Sequence, residues 1–188
     1  MWVFGYGSLV WKVDFPYETK IVGYIEGYFR RFYQHSIDHR GVPNEPGRVV
    51  TLIPSDNPAS KVWGVAYKIR TYDEENVTNH LDYREKNGYS KKTVTFHPRE
   101  KNVEPFLLTL YVATEENESF AGPASIEDIA NQVILSQGPS GSNKEYVYNL
   151  AEAMRQLAPG EKDDHLFALE KAVRTIDQNT NPSHTILI

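Results

Sequence analysis

From Trp2 to Val112 the apolar side chains come in short β-branched and aromatic runs, and beyond Ser125 they recur at helical spacing. The first pattern predicts strands and the second helices. Expected strands are Trp2 to Tyr6, Arg48 to Ile53, Val62 to Ile69, Lys92 to Phe96 and Phe106 to Val112. The stretch Lys20 to Tyr33 is also extended, and Gly23 and Gly27 are expected as bends or bulges of a strongly curved sheet. Pro46-Gly47 marks a turn. Three helical stripes follow: Ile126, Ile129, Val133, Ile134; Val147, Leu150, Met154, Leu157; and Leu166, Leu169, Val173, Ile176. Ser125 with Asp128, and Ser142 with Glu145, read as capping pairs for the first two. One helix is expected inside the strand region, from about Asp73 to Glu85. There Asp73 is the N-cap, Tyr72 and Val77 form a hydrophobic staple, and Asn87-Gly88 is the stop. The pattern is α+β: an antiparallel or mixed sheet, curled, with helices packed around it.

The 188 residues fit one domain spanning 1–188, with a tail beyond about residue 177 that reads as disordered. The absence of cysteine excludes a disulfide framework, a thiolate metal site and a cysteine nucleophile. With 20 basic and 25 acidic residues the net charge is −5, which argues against a nucleic-acid partner. No run of about 18 apolar residues suggests a membrane span. The first residues lack the basic, apolar and cleavage segments of a secretory signal, so the cytosol is the expected compartment. The sequons at Asn76 and Asn117 then read as chance matches.

Candidate chemistry sits in two places. On the internal helix Val77 and Leu81 define a buried face whose next position is Glu85, with Asp82 a like charge three residues earlier. Burial and a like charge both raise a carboxyl pKa toward the range of a general base. The bland alternative is a glutamate at a frayed helix end, reaching water. The second place is Gly5-Tyr6-Gly7-Ser8-Leu9, where two glycines beside a serine follow a strand and can turn backbone N–H groups toward an anion. It is neither a dinucleotide fingerprint, a phosphate loop nor a nucleophile elbow; the alternative is a strand ending in a tight turn. Three other clusters carry weaker signals. His35 and His39, with Asp38, are metal-ligand types in an extended region that does not bring them together. Tyr28 to Tyr33 interleaves bases and aromatics but reads as a strand with one wet face. Gly138-Pro139-Ser140-Gly141 leads into the helix capped by Ser142.

Several segments together resemble the ChaC family. They are Val3-Phe4-Gly5-Tyr6-Gly7-Ser8-Leu9, Asp38-His39-Arg40-Gly41-Val42-Pro43, Pro46-Gly47-Arg48-Val49-Val50-Thr51-Leu52, Trp63-Gly64-Val65-Ala66-Tyr67 and Leu81-Asp82-Tyr83-Arg84-Glu85-Lys86. Gly122-Pro123-Ala124, Ala130-Asn131-Gln132 and Gly138-Pro139-Ser140-Gly141 extend the likeness, which runs from Trp2 to about Val173 and looks closest to the short eukaryotic type 2 form. The resemblance implies a γ-glutamylcyclotransferase-like fold, a small curled mixed β-sheet or barrel with flanking helices. It implies conversion of glutathione to 5-oxoproline and Cys-Gly, with no cofactor and no metal. Its catalytic glutamate maps onto Glu85, and its substrate-binding loop onto Val3, Phe4, Gly5, Tyr6, Gly7, Ser8 and Leu9. A pocket tyrosine maps onto Tyr146. The chain departs from the family pattern at Tyr33, His35 and Asn87. Two other readings remain open here: a cyclotransferase for other γ-glutamyl amines or dipeptides, and a non-catalytic protein-binding module.

Overall fold

The structure is a computed structural model that describes residues 1–84 and 89–180. Five strands close into a barrel in the order β1 (Trp2–Gly5), β5 (Lys61–Lys68), β2 (Thr19–Glu26), β6 (Tyr89–Pro98), β7 (Phe106–Ala113). All neighbours are antiparallel except β1 and β7, which meet in parallel at Val3 and Thr109. Alternation along β1 sends Phe4 into the barrel with Ile25, Leu52, Phe96 and Leu110, while Val3 faces Val65, Tyr67 and Leu81 on the other side. Two strands outside the barrel, β3 (Tyr28–Ser36) and β4 (Gly47–Pro54), pair with a register shift between Arg31 and Gln34.

The two glycines in the Lys20 to Tyr33 stretch have different jobs. Gly27, at φ +80°, is the corner between β2 and β3, a conformation that L side chains rarely adopt. Gly23 is no bulge; it stays in register opposite Gly64. A methyl group at Gly23 would collide with the His97 carbonyl and the Phe96 ring, and one at Gly64 with the Gly5 carbonyl. Bare backbone at this crossing lets the sheet curl tightly enough to close.

Helix α1 (Glu74–Arg84) covers the Val3 side of β1 through Val77 and Leu81, both buried. Its start differs from expectation. Asp73 belongs to a 3₁₀ turn, Thr71–Asp73, that runs straight into the helix, and Arg70 holds the extended capping position. The Tyr72–Val77 staple does not form, because Tyr72 is 73% exposed and its hydroxyl accepts a hydrogen bond from Arg70. The stop at Asn87-Gly88 and the tail from residue 181 lie outside the described residues.

Helices α2 (Ile126–Leu135), α3 (Asn143–Leu157) and α4 (Asp164–Thr180) share one apolar cluster with Phe32, Val50 and Trp63. Both expected caps form: Ser125 Oγ accepts from Asp128 N–H at 3.1 Å, and Ser142 Oγ from Glu145 N–H at 3.4 Å. Between α2 and α3 a small ribbon, β8 (Gln137–Gly138) and β9 (Gly141–Ser142), carries the Gly-Pro-Ser-Gly segment. Among the described residues no helix is long and apolar enough to cross a membrane.

Candidate active site

At the end of β1 the chain turns through Tyr6 and Gly7 into a 3₁₀ turn, Ser8–Val10. Val10 N–H donates to the Gly7 carbonyl at 3.0 Å, and Lys12 N–H to the Ser8 carbonyl at 2.8 Å. Two side chains hold this loop by its carbonyls: Tyr67 donates its hydroxyl to Leu9 O at 2.6 Å, and Arg30 donates Nε–H to Tyr6 O at 3.0 Å. The Tyr6 hydroxyl crosses to Tyr111 O at 2.8 Å. Burial pushes the Tyr67 phenol pKa up, with nearby Tyr17 adding to the shift, so it stays a donor.

Tyr146 stands on the first turn of α3 against this loop. Its ring meets Trp11 edge-on at 5.2 Å and Phe32 at 6.0 Å, and its oxygen accepts Val50 N–H at 3.3 Å. Gly7 packs directly on it: a Cβ there would come within 3.0 Å of the Tyr146 oxygen and 3.1 Å of Val50 Cγ2. The second glycine of the loop therefore keeps the tyrosine and the loop backbone in contact.

Loop and tyrosine form one side of a cavity of about 260 Å³. Val3, Phe4, Tyr6, Gly7, Ser8, Leu9 and Tyr146 all line it. Gly5 does not; it lies beneath the loop, where a Cβ would press on Leu9 Cβ at 2.9 Å and the Tyr67 ring at 3.2 Å. Glu85 lies outside the described residues, but Leu81 on the buried face of α1 and Tyr89 at the start of β6 both line the cavity.

A further wall was weighed from sequence only as a weak metal-ligand cluster at His35, Asp38 and His39. It comes from the end of β3 and the following turn: Gln34, His35, Ser36, Ile37, Asp38, His39 and Arg40. The signal was present in Asp38-His39-Arg40 and in Gly138 to Gly141, which meet here. Ser140 N–H donates to the His39 carbonyl at 2.9 Å, and the Ser140 hydroxyl lies 3.3 Å from His39 Nδ1. Arg40 is buried, donates to Ser142 O and pairs with Glu145 at 2.8 Å. Burial, and then the Arg48 charge, lower the His35 pKa, so its ring is neutral at pH 7. Asn117 Oδ1 accepts the Ser119 N–H at 2.7 Å, so Gln34 must present its amide nitrogen to that oxygen, at 3.4 Å. Gln34 Oε1 is then left in the wall with no hydrogen bond among the described residues. Among those residues no group of three or more histidine or acidic side chains is arranged to hold a metal ion.

Behind the site one lattice of hydrogen bonds explains why three further motifs occur together. Asn143, fully buried, accepts Arg48 N–H at 2.7 Å and donates to Arg48 O at 2.8 Å, which fixes the start of α3 on β4. The Arg48 guanidinium reaches Gln132 Oε1 at 2.9 Å, Phe32 O and Gly122 O. Gln132 in turn donates to Pro46 O at 2.8 Å. Segments far apart in the chain are joined at one arginine, and Tyr146 inherits its position from that junction.

Comparison with known proteins agrees with this construction. The family model described as ChaC-like protein matches residues 1–176. The glutathione-specific gamma-glutamylcyclotransferase 1 of Danio rerio is 46% identical over 175 residues, covering 92% of this chain and 88% of the relative. The human protein of the same name is 42% identical over 178 residues, covering 94% and 79%. The crystal structure of a yeast gamma-glutamylcyclotransferase specific to glutathione superposes with a TM-score of 0.85 at 33% identity, covering 93% of this chain and 96% of that one. A barrel closed by the first strand, a glycine loop packed on a tyrosine and a family match over nearly all described residues lead to one conclusion: the chain belongs to the ChaC family.

Proposed function

We propose that the chain is a glutathione-specific γ-glutamylcyclotransferase that releases 5-oxoproline and Cys-Gly. One observation carries this reading. A single cavity gathers the Tyr6 to Leu9 loop, Tyr146 and the two residues, Leu81 and Tyr89, that bracket Glu85 in sequence. The nucleophile belongs to the substrate. The α-amine of the γ-glutamyl group attacks its own γ-carbonyl carbon, the bond to the cysteine nitrogen breaks, and a five-membered lactam forms. Holding the glutamyl arm in the attacking conformation supplies up to roughly 7–11 kcal/mol of the barrier. Glu85 takes the proton that the amine loses and returns it to the leaving nitrogen of Cys-Gly, a transfer worth about 10²–10⁴ in rate. Loop N–H groups hold the substrate's α-carboxylate or the oxyanion that develops on the γ-carbonyl oxygen. The Tyr146 ring closes the cavity beside them. The substrate is a small molecule; the net charge of −5 argues against nucleic acid, and the cytosol is the compartment this reading assigns.

Incubation with glutathione and direct detection of 5-oxoproline and Cys-Gly tests the activity. The Glu85→Gln variant is expected to bind glutathione and to turn over nothing measurable. A variant that keeps even about a tenth of the wild-type rate removes Glu85 as the base, since a general base is worth about 10² or more.

A further inference from the structure

Although Tyr6 and Gly7 both line the cavity, the carbonyl of Tyr6 does not face it. It accepts the Nε–H of Arg30, a side chain only 3% exposed that lies behind the cavity wall. A trans peptide points its C=O and N–H in opposite directions within one plane, and no described peptide bond is cis. Anchoring the Tyr6 oxygen inward therefore turns the Gly7 N–H outward, into the cavity. We infer that Arg30 is a positioning residue, which aims the Gly7 N–H at the bound γ-glutamyl group. The inference rests on the cyclotransferase reading above.

The rest of the guanidinium explains why the residue is arginine. One terminal nitrogen pairs with Asp163 Oδ2 at 2.6 Å and the other donates to the Trp63 carbonyl. A planar fork serves three acceptors in fixed directions, and the compact ammonium of a lysine cannot. Asp163 is itself held, because its Oδ1 accepts Leu166 N–H at 3.2 Å and so caps α4. The start of α4, 133 residues away in the chain, is thus joined through one buried cation to the peptide that follows Tyr6. An arginine that only tied β3 to β5 and α4 would have no need of the Tyr6 oxygen.

The test uses the full chain. Arg30→Lys keeps the charge beside Asp163 but gives up the fan of donors. With folding checked by circular dichroism, its kcat/KM for glutathione is expected to fall about 10²-fold, the scale of a misplaced catalytic group. In the ¹⁵N-labelled wild-type protein, saturating 5-oxoproline is expected to move the Gly7 amide resonance, and folded Arg30→Lys should lose that shift. A folded R30K that keeps kcat/KM within about twofold, well short of that scale, overturns the inference. So does a Gly7 amide that product leaves unmoved in the wild type, a result that overturns the inference even if R30K does not fold. Failure of the function itself looks different: the wild type then forms no 5-oxoproline from glutathione at all.

Discussion

The stability of this protein is expected to fall in mild acid because of His165. Its Nε2 accepts the Phe32 N–H at 3.0 Å, so the ring must keep a lone pair there and carry its proton on Nδ1. It stacks on Phe32 at 5.9 Å and meets Tyr33 edge-on at 5.7 Å. Burial, and then the Arg31 charge, lower its pKa from 6.5 to about 4; Asp163 pulls the other way and Arg48 adds slightly to the lowering. Below the unfolded value of 6.5 the unfolded chain takes up a proton that the native ring refuses. Stability due to this group is therefore complete above pH 6.5, drains away toward pH 4, and changes no further below it. Linkage gives about 2 kcal/mol lost by pH 5, and solvent at the partly exposed ring reduces that to roughly 1–2 kcal/mol. The assay is urea unfolding at about pH 7.5 and about pH 5, on the wild type and on His165→Gln, whose amide oxygen replaces Nε2 as an uncharged acceptor. The wild type should lose roughly 1–2 kcal/mol more than the variant across this step. Equal losses refute the reasoning.

Two further substitutions probe the frame of the site. In Gly7→Ala the new methyl meets Tyr146 and Val50, so we expect a stability cost of about 1–3 kcal/mol and at least a tenfold drop, roughly, in 5-oxoproline release. A wild-type rate in that variant removes the Gly7–Tyr146 contact from the account. Asn143→Ala strands the backbone N–H and C=O of Arg48 in a buried place, which costs about 2–4 kcal/mol and lowers Tm by roughly 5–15 °C. A thermal melt shifted by less than about 2 °C contradicts that role for Asn143.

Much of the fold was legible because its signals are local. Ser125 and Ser142 cap where the spacing of their partners predicts, and the three helical stripes bury Ile129, Leu150 and Leu169 as expected. Gly5 to Leu9 stood out by their glycines and Val3, Phe4 and Tyr146 through resemblance, and all of these but Gly5 line the cavity. What was not legible depends on distant partners. The expected strand with one wet face forms at Tyr28 to Tyr33, but its buried face holds Arg30 while Phe29 on the other is 38% exposed. Asp163, the Trp63 carbonyl and the Tyr6 carbonyl, none of them near in sequence, make an interior arginine affordable. The far wall of the cavity was hidden for the same reason, since the His39 and Ser140 segments touch only in three dimensions. Tyr72 shows the converse: its position fits a staple, but the helix begins with a 3₁₀ turn that points the ring to water.

Val3 sits between Tyr67 and Thr109, so β1 finds its two neighbours only after most of the strands have been made. Until β5 and β7 have been made this apolar segment lacks one or both of its partners, and the Tyr146 that packs on Gly7 comes later still. A nascent or prematurely ended chain would carry every residue of the glycine loop and still offer no receptacle for a tripeptide.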